Sequence, residues 1–425
     1  MREYLFMALI AAAVTYLLVP LVRRFAIRIG AAPEIRERDV HTTPTPRLGG
    51  LAMYGGLVVG LLVAAQLTKT GKALAATGEP VLALIVAGGL ITVTGFLDDW
   101  WGMDPFIKLA GQIAAAGVLV YYGLRLTYIP LPKDWGGSTS LDYTLSTVIT
   151  ILVVVVAINA VNFVDGLDGL AAGIVCIAAM ATWAYSIYLS QNISGDRITT
   201  TAAISSVLIG ACIGFLPHNF HPAKIFMGDT GAMLIGLVLA SSLVTVMPVD
   251  TSVIEGINRF GVLLPLLVPA AVMVLPLIDL ITAVVRRTSY GMSPFSPDRG
   301  HLHHRLMDIG HSHRQSVLIM YAWTFLFAFG IFGMSVVTVP VLAFPVVILL
   351  ALVVLVLMAL PRWRRRNAAH ASRHKPSDDD DGPPTGPMPP VRPDAEFRRI
   401  PPPGPPQEQT SSDPNSVIPL YPGRS

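Results

Sequence analysis

The chain has 425 residues, of which 53% are hydrophobic and only 13% charged, and its mean hydropathy is +0.60. That excludes an ordinary soluble core, and a net charge of +3 is too small to argue for a nucleic-acid partner. The two cysteines, Cys176 and Cys212, fall within apolar runs, where they imply neither a disulfide nor a cysteine metal site.

A helix crosses the hydrocarbon of a bilayer in ~20 apolar residues. Runs near that length occur at 3–22, 48–67, 81–97, 106–123, 144–164, 167–189, 199–217, 230–247, 260–285, 317–338 and 341–360. They predict an all-α, polytopic membrane helix bundle of about eleven transmembrane helices. The first run lacks a small-residue cleavage site and is followed by many more, so it reads as a retained anchor. Arginines collect on alternate connections: Arg23, Arg24, Arg28, Arg36, Arg38 and Arg47 after the first span, Arg286, Arg287, Arg299, Arg305 and Arg314 after the ninth, and Arg362, Arg364, Arg365 and Arg366 after the last. By the positive-inside rule those connections are cytoplasmic, which puts the N-terminus outside and the C-terminus inside. Beyond Pro361 the composition turns to WRRR, SDDDDGPPTGPMPP and IPPPGPPQEQ, with no periodic apolar face. The chain therefore divides into a membrane domain at 1–366 and a disordered, proline-rich cytoplasmic tail at 367–425.

Span parity places the unusual polar segments together. HTTPTPRLGG, FLDDWWGMDP, NFVDGLDG, HNFHPAKIFMGDTG and SPDRGHLHHRLMDIGHS all belong to connections on the cytoplasmic side, which suggests a site open to cytoplasmic solutes. His41 and Arg47 supply a basic rim in the first segment. Asp98 and Asp99 end the third span, where their mutual repulsion and the negative end of a helix dipole both call for a nearby cation. Lys108 is a candidate partner, unless it only snorkels. Asn159, Asn162, Asp165 and Asp168 recur every three residues, so that neighbours fall on adjoining turns of one helix face until Gly166 and Gly169 break the backbone. Membrane-edge acids are costly and tend to serve function, although asparagines also bond between helices and aspartates also cap them.

Asp229 in MGDTG reads alone as an N-cap, but together with the other acids and amides it adds a hard oxygen ligand suited to Mg²⁺ or Mn²⁺. Asp279 lies in the ninth span toward its cytoplasmic end, facing the bundle interior or pairing with an arginine. Arg299, His301, His303, His304 and Arg305 fit contacts to a phosphate anion better than a zinc site, because no cysteine accompanies them and arginines repel a dication.

Taken in order, HTTPTPRLGG, FLDDWWG, NAVNFVDGLDGLAAG, FMGDTGAMLIG, PLIDLITAVVRR and SPDRGHLHHRLMDIGHS resemble the polyprenyl-phosphate N-acetylhexosamine-1-phosphate transferase family, over about residues 41–316. The HLHHR and PTPRLGG stretches are more similar to the branch that uses UDP-N-acetylglucosamine than to the phospho-N-acetylmuramoyl-pentapeptide transferases, whose motif carries three consecutive histidines. The resemblance implies a bacterial plasma-membrane enzyme, dependent on Mg²⁺, that moves a sugar 1-phosphate from a UDP-sugar to a polyprenyl phosphate and releases UMP. It implies Asp229 as metal ligand with Asn162 as a second, Asp98 or Asp99 acting on the acceptor phosphate, and Asp165 and Asp168 on the nucleotide side. A direct attack and a covalent aspartyl intermediate both stay open, as does a homodimer. The competing class is a secondary transporter, whose site belongs near the midplane rather than at one surface.

Overall fold

The computed structural model describes residues 1–31, 45–129, 139–192, 195–246, 285, 288–289, 291, 310–336, 349–350 and 353. These residues form ten helices and one small hairpin: α1 Arg2–Arg28, α2 Gly49–Gln66, α3 Thr68–Ala76, α4 Pro80–Trp101, α5 Pro105–Tyr121, β1 Tyr128–Ile129, β2 Thr139–Ser140, α6 Tyr143–Val164, α7 Leu170–Asn192, α8 Asp196–Asn219, α9 Gly228–Val246 and α10 His313–Val336.

Among the described residues seven helices are long and apolar enough to cross a membrane: α1, α2, α4, α6, α7, α8 and α9. Each falls on an expected span. The expected fourth span is α5, a shorter apolar helix of 17 residues. The tenth falls on α10, and the ninth and eleventh, apart from residues 285, 349–350 and 353, lie outside the described residues, as does the tail from 367. Leu5, Leu9, Leu17 and Leu21 on α1 and Leu145, Val148 and Leu152 on α6 are exposed apolar stripes, an arrangement water does not tolerate and lipid does. The chain is an integral membrane protein.

Two features were not among the expected elements: a β-hairpin and a short polar helix. Antiparallel β1 and β2 pair Tyr128 with Ser140 and Ile129 with Thr139, between α5 and α6. The nine-residue α3 is too polar to register in a hydropathy scan, and Glu3 of α1 caps it: the Glu3 carboxylate accepts from the backbone N–H groups of Lys69 (3.2 Å) and Thr70 (2.9 Å) and from the Thr70 hydroxyl (2.6 Å).

Local sequence fixes the ends that matter for the site. Pro105 opens α5 with its φ already helical, and Asp104 caps it by accepting from Phe106 N–H at 2.8 Å. Asp142 caps α6 through the N–H groups of Thr144 and Leu145. At the far end of α6 the chain leaves the helix after Val164, and α7 resumes only at Leu170, later than the apolar run suggests. The intervening turn ends at Gly169, whose φ of 78° suits glycine.

Helix α9 is the pillar of the bundle. It packs against α4, α6 and α8 and is buried at every position from Thr230 to Val246. Its first turn meets two glycines, because backbone must approach backbone there. A β-carbon on Gly95 of α4 would lie 2.5 Å from Thr230 Cα, and one on Gly50 of α2 would strike the backbone of Gly231. Gly95→Ala should therefore cost about 1–3 kcal/mol as α4 is driven off α9. Thermal unfolding in detergent checks this, and an unchanged midpoint would show that the helices separate freely.

Candidate active site

The connections expected to share one side do converge. The segment before α2 runs against the α8–α9 connection, with Phe226 N–H donating to Pro46 C=O (2.9 Å), Gly49 N–H to Phe226 C=O (3.0 Å) and Gly50 N–H to Met227 C=O (3.1 Å). The end of α4, the start of α5, the end of α6 and the start of α9 meet on the same end of the bundle.

Lys108, one turn into α5, is the hub. Its ammonium lies 2.8 Å from Asp98 Oδ2 and 2.5 Å from Asp229 Oδ2, so one cation holds two carboxylates from helices α4 and α9. The three side chains are largely shielded, with 12–29% of their surface exposed, where Coulombic attraction is stronger than in water. The cation that the acidic pair at the end of α4 called for is thus supplied from α5. Asp98 Oδ1 also accepts from Met103 N–H at 2.8 Å, which fixes the turn between these helices. The other oxygen of Asp229 faces the Asn162 amide of α6.

The two adjacent acids have different tasks. Asp99 caps α9, accepting from the N–H groups of Asp229 (3.0 Å) and Thr230 (2.9 Å) and from the Thr230 hydroxyl (2.6 Å). It holds the N-terminus that presents Asp229. Asn159, deeper in α6, donates to Gln112 Oε1 of α5 at 2.6 Å, an interhelical bond of the kind that ties membrane helices together.

Asp165 and Asp168 sit in the turn between α6 and α7. Asp165 is half-buried, and burial together with the negative charges of Asp229 and Asp99 pushes its carboxyl up to about 8, against the pull of Arg47. Its folded value thus exceeds the ordinary value of about 4, so the unfolded chain releases this proton first and stability falls as pH rises from about 4 to about 8. Without divalent cations, Asp165→Asn should unfold at a higher temperature than the parent at pH 8, and the gap should close toward pH 4. A constant gap across that range would exclude the effect.

Asp168 is buried and belongs to a second constellation. Its Oδ2 accepts from His221 Nδ1 (2.8 Å) and Ala223 N–H (3.1 Å), and its own N–H donates to His313 Nε2 (3.1 Å). The imidazoles stack with centroids 4.3 Å apart and planes at 20°. One ligand atom from each of Asp168, His221 and His313 lies within 4.8 Å of the others, close enough for a metal, yet the oxygen and nitrogen named here already serve as hydrogen-bond partners. Neither histidine stood out in the sequence. The only hint was their company, HNFHPAKIF and GHSHRQ, on two connections of the polar side.

Of the remaining expected residues, Arg47 is exposed beside the cluster. His41, Asp279, Arg299, His301, His303, His304 and Arg305 lie outside the described residues.

The donor set suits a hard dication. Asp98, Asp229, Asp165 and Asn162 present carboxylate and amide oxygens from three elements, and rotating the terminal amide of Asn162 exchanges its nitrogen for its oxygen toward Asp229. Lys108 already engages Asp98 and Asp229, so a dication held there would have to share these carboxylates with the ammonium.

Comparison with known proteins places this arrangement. The family profile described as Glycosyl transferase family 4 matches residues 81–247, which run from α4 through α9. The decaprenyl-phosphate N-acetylglucosaminephosphotransferase of Mycolicibacterium smegmatis is 46% identical over 333 residues, 78% of this chain and 82% of that relative. The probable undecaprenyl-phosphate N-acetylglucosaminyl 1-phosphate transferase of Bacillus subtilis is 32% identical over 330 residues, 76% and 82% of the two chains. The phospho-N-acetylmuramoyl-pentapeptide-transferase of Mycobacterium leprae is 34% identical over 283 residues, but covers 58% of this chain. The acid–lysine cluster, the membrane bundle that carries it and these relatives agree: the chain belongs to glycosyl transferase family 4, among the polyprenyl-phosphate N-acetylhexosamine-1-phosphate transferases.

Proposed function

We propose that the protein transfers N-acetylglucosamine 1-phosphate from UDP-N-acetylglucosamine to a membrane polyprenyl phosphate, forming the diphosphate-linked lipid and releasing UMP. The observation that carries the reading is Lys108 held between Asp98 and Asp229, at the end of a membrane bundle whose N-acetylglucosamine-transferring relatives match 78% of the chain. The pentapeptide transferase reading is weaker, because that relative spans 58% of the chain. A lipid acceptor accounts for a site at one end of the bundle rather than at its centre.

The chemistry brings two phosphate-bearing substrates together, so charge must be neutralised before an acceptor oxygen can reach phosphorus. Asp229 and Asn162, with Asp165 beside them, would hold Mg²⁺, which supplies positive charge to the diphosphate when bound; Mn²⁺ has the same preference for oxygen. Lys108 contributes a fixed positive charge and orients Asp98. Asp98 positions the acceptor phosphate or removes its last proton, worth typically ~10²–10⁴ in rate. Asp99 keeps α9, and with it Asp229, in place. The acceptor oxygen forms a bond to the sugar-bearing phosphorus while the bond from that phosphorus to the UMP oxygen breaks, and UMP leaves with the electron pair. Asp168 serves the nucleotide side and Arg47 the basic rim, while the anion contacts expected of His41, Arg299, His301, His303, His304 and Arg305 fall on residues outside the described ones.

The positive-inside pattern supports a site on the cytoplasmic side of a bacterial plasma membrane, where UDP-sugars are found. The purified protein should release UMP from UDP-N-acetylglucosamine only when polyprenyl phosphate and Mg²⁺ are both present. UMP release that is indifferent to the lipid would reject the reading.

A further inference from the structure

We propose that His221 and His313 are positioning residues that clasp the α6–α7 turn and thereby set the nucleotide-side geometry of the active site; this rests on the transferase reading above. The turn has few anchors of its own, since it interrupts a transmembrane helix pair and carries two acids. Its buried Asp168 would be costly without partners. The histidines hold it at two levels, His221 at the carboxylate and His313 at the backbone N–H, from positions 53 and 145 residues away. Around them the same three segments are cross-linked again. Asn219 accepts from Gly169 N–H and donates to Ile225 C=O, both at 3.0 Å, and Tyr321 donates to Gly169 C=O at 2.5 Å. Arg314 reaches the His221 carbonyl with Nε (3.2 Å) and Nη2 (2.9 Å).

The clasp therefore ties the turn bearing Asp165 and Asp168 to the connection that leads into Asp229, and both to the first turns of α10. Helix α10 lies beyond the residues 81–247 matched by the family profile, so the device draws on a part of the chain outside that core. A shift of the turn would move Asp165 relative to Asp229, and misplacement of a supporting group is enough to weaken binding and catalysis without removing any group that touches substrate.

The two rings use different nitrogens, which makes the idea sharply testable. His313 accepts at Nε2, a position that the glutamine side-chain oxygen reaches and the asparagine oxygen does not. His221 donates at Nδ1, a position that the asparagine amide nitrogen reaches and the glutamine nitrogen overshoots. Steady-state kinetics with UDP-N-acetylglucosamine as the varied substrate, with thermal unfolding of each variant alongside, should give a crossed pattern. His313→Asn and His221→Gln should raise KM for the nucleotide sugar by roughly ten- to a hundredfold, as expected when a buried partner is lost, with KM for polyprenyl phosphate little changed. His313→Gln and His221→Asn should recover most of that loss. Equal effects of asparagine and glutamine at both positions, or loss of folded protein with KM unaltered in what remains, would overturn the proposal. So would stoichiometric zinc in the purified protein that disappears in His313→Gln, because the trio would then be a metal site. Absence of UMP release by the parent protein would instead overturn the transferase reading on which the clasp rests.

Discussion

Asp229→Asn should lower kcat/KM by about a thousandfold and raise the Mg²⁺ concentration needed for half-maximal rate. The amide keeps one coordinating oxygen but loses the charge, and charge neutralisation by a bound dication is worth several kcal/mol in the transition state. Asp229 is also the one described side chain that meets both Lys108 and Asn162, so its loss unties the cluster as well as weakening the metal. Its backbone N–H and that of Thr230 keep their bonds to Asp99, so α9 should stay docked and the variant should unfold within a few degrees of the parent. An Mg²⁺ midpoint that does not move would remove Asp229 from the metal site.

Lys108→Met should separate two quantities that fall together in most damaged enzymes. Removing the ammonium leaves Asp98 and Asp229 facing each other without a cation. Breaking a fully buried pair in this way costs ~3–5 kcal/mol and an exposed one ~0–1. With exposures of 12–29%, these groups fall between, so a loss of about 2 kcal/mol is expected in thermal unfolding without divalent ions. Mg²⁺ should restore much of it, because a dication satisfies the same carboxylates. Turnover should drop by about a hundredfold or more while the Mg²⁺ midpoint moves to lower concentration, opposite to Asp229→Asn. A raised Mg²⁺ midpoint in both variants would contradict this contrast, and it would mean that Lys108 supports the metal rather than competing with it.

What the sequence made legible follows from the range of the forces involved. Helices that cross a bilayer must satisfy their own backbone, so each apolar run near 20 residues announces itself locally, and seven of those expected appear as spans among the described residues. Parity then collected Asp98, Asn162, Asp165 and Asp229 at one end without knowledge of any contact. The acidic pair's need for a cation was readable from repulsion alone, and Lys108, ten residues on, answers it. The division of labour within the pair was not readable. Asp99 caps a helix that begins 129 residues later in the chain, and a long-range cap leaves no local pattern. The same holds for His221 and His313, whose partner is a backbone turn in another part of the chain. Helix α3 and the β1–β2 hairpin escaped notice because short polar elements carry neither hydropathy nor long periodicity.

The central claim is that the bond broken lies between the two phosphates of the nucleotide sugar, not between sugar and phosphate, although the family name speaks of glycosyl transfer. UDP-N-acetylglucosamine labelled with ³²P at the sugar-bearing phosphate decides it in one partition experiment with polyprenyl phosphate and Mg²⁺. The account predicts that the label enters the lipid phase in equal amount with the sugar, while unlabelled UMP appears in the water phase. Label that stays in water as UDP, with sugar alone reaching the lipid, would contradict it.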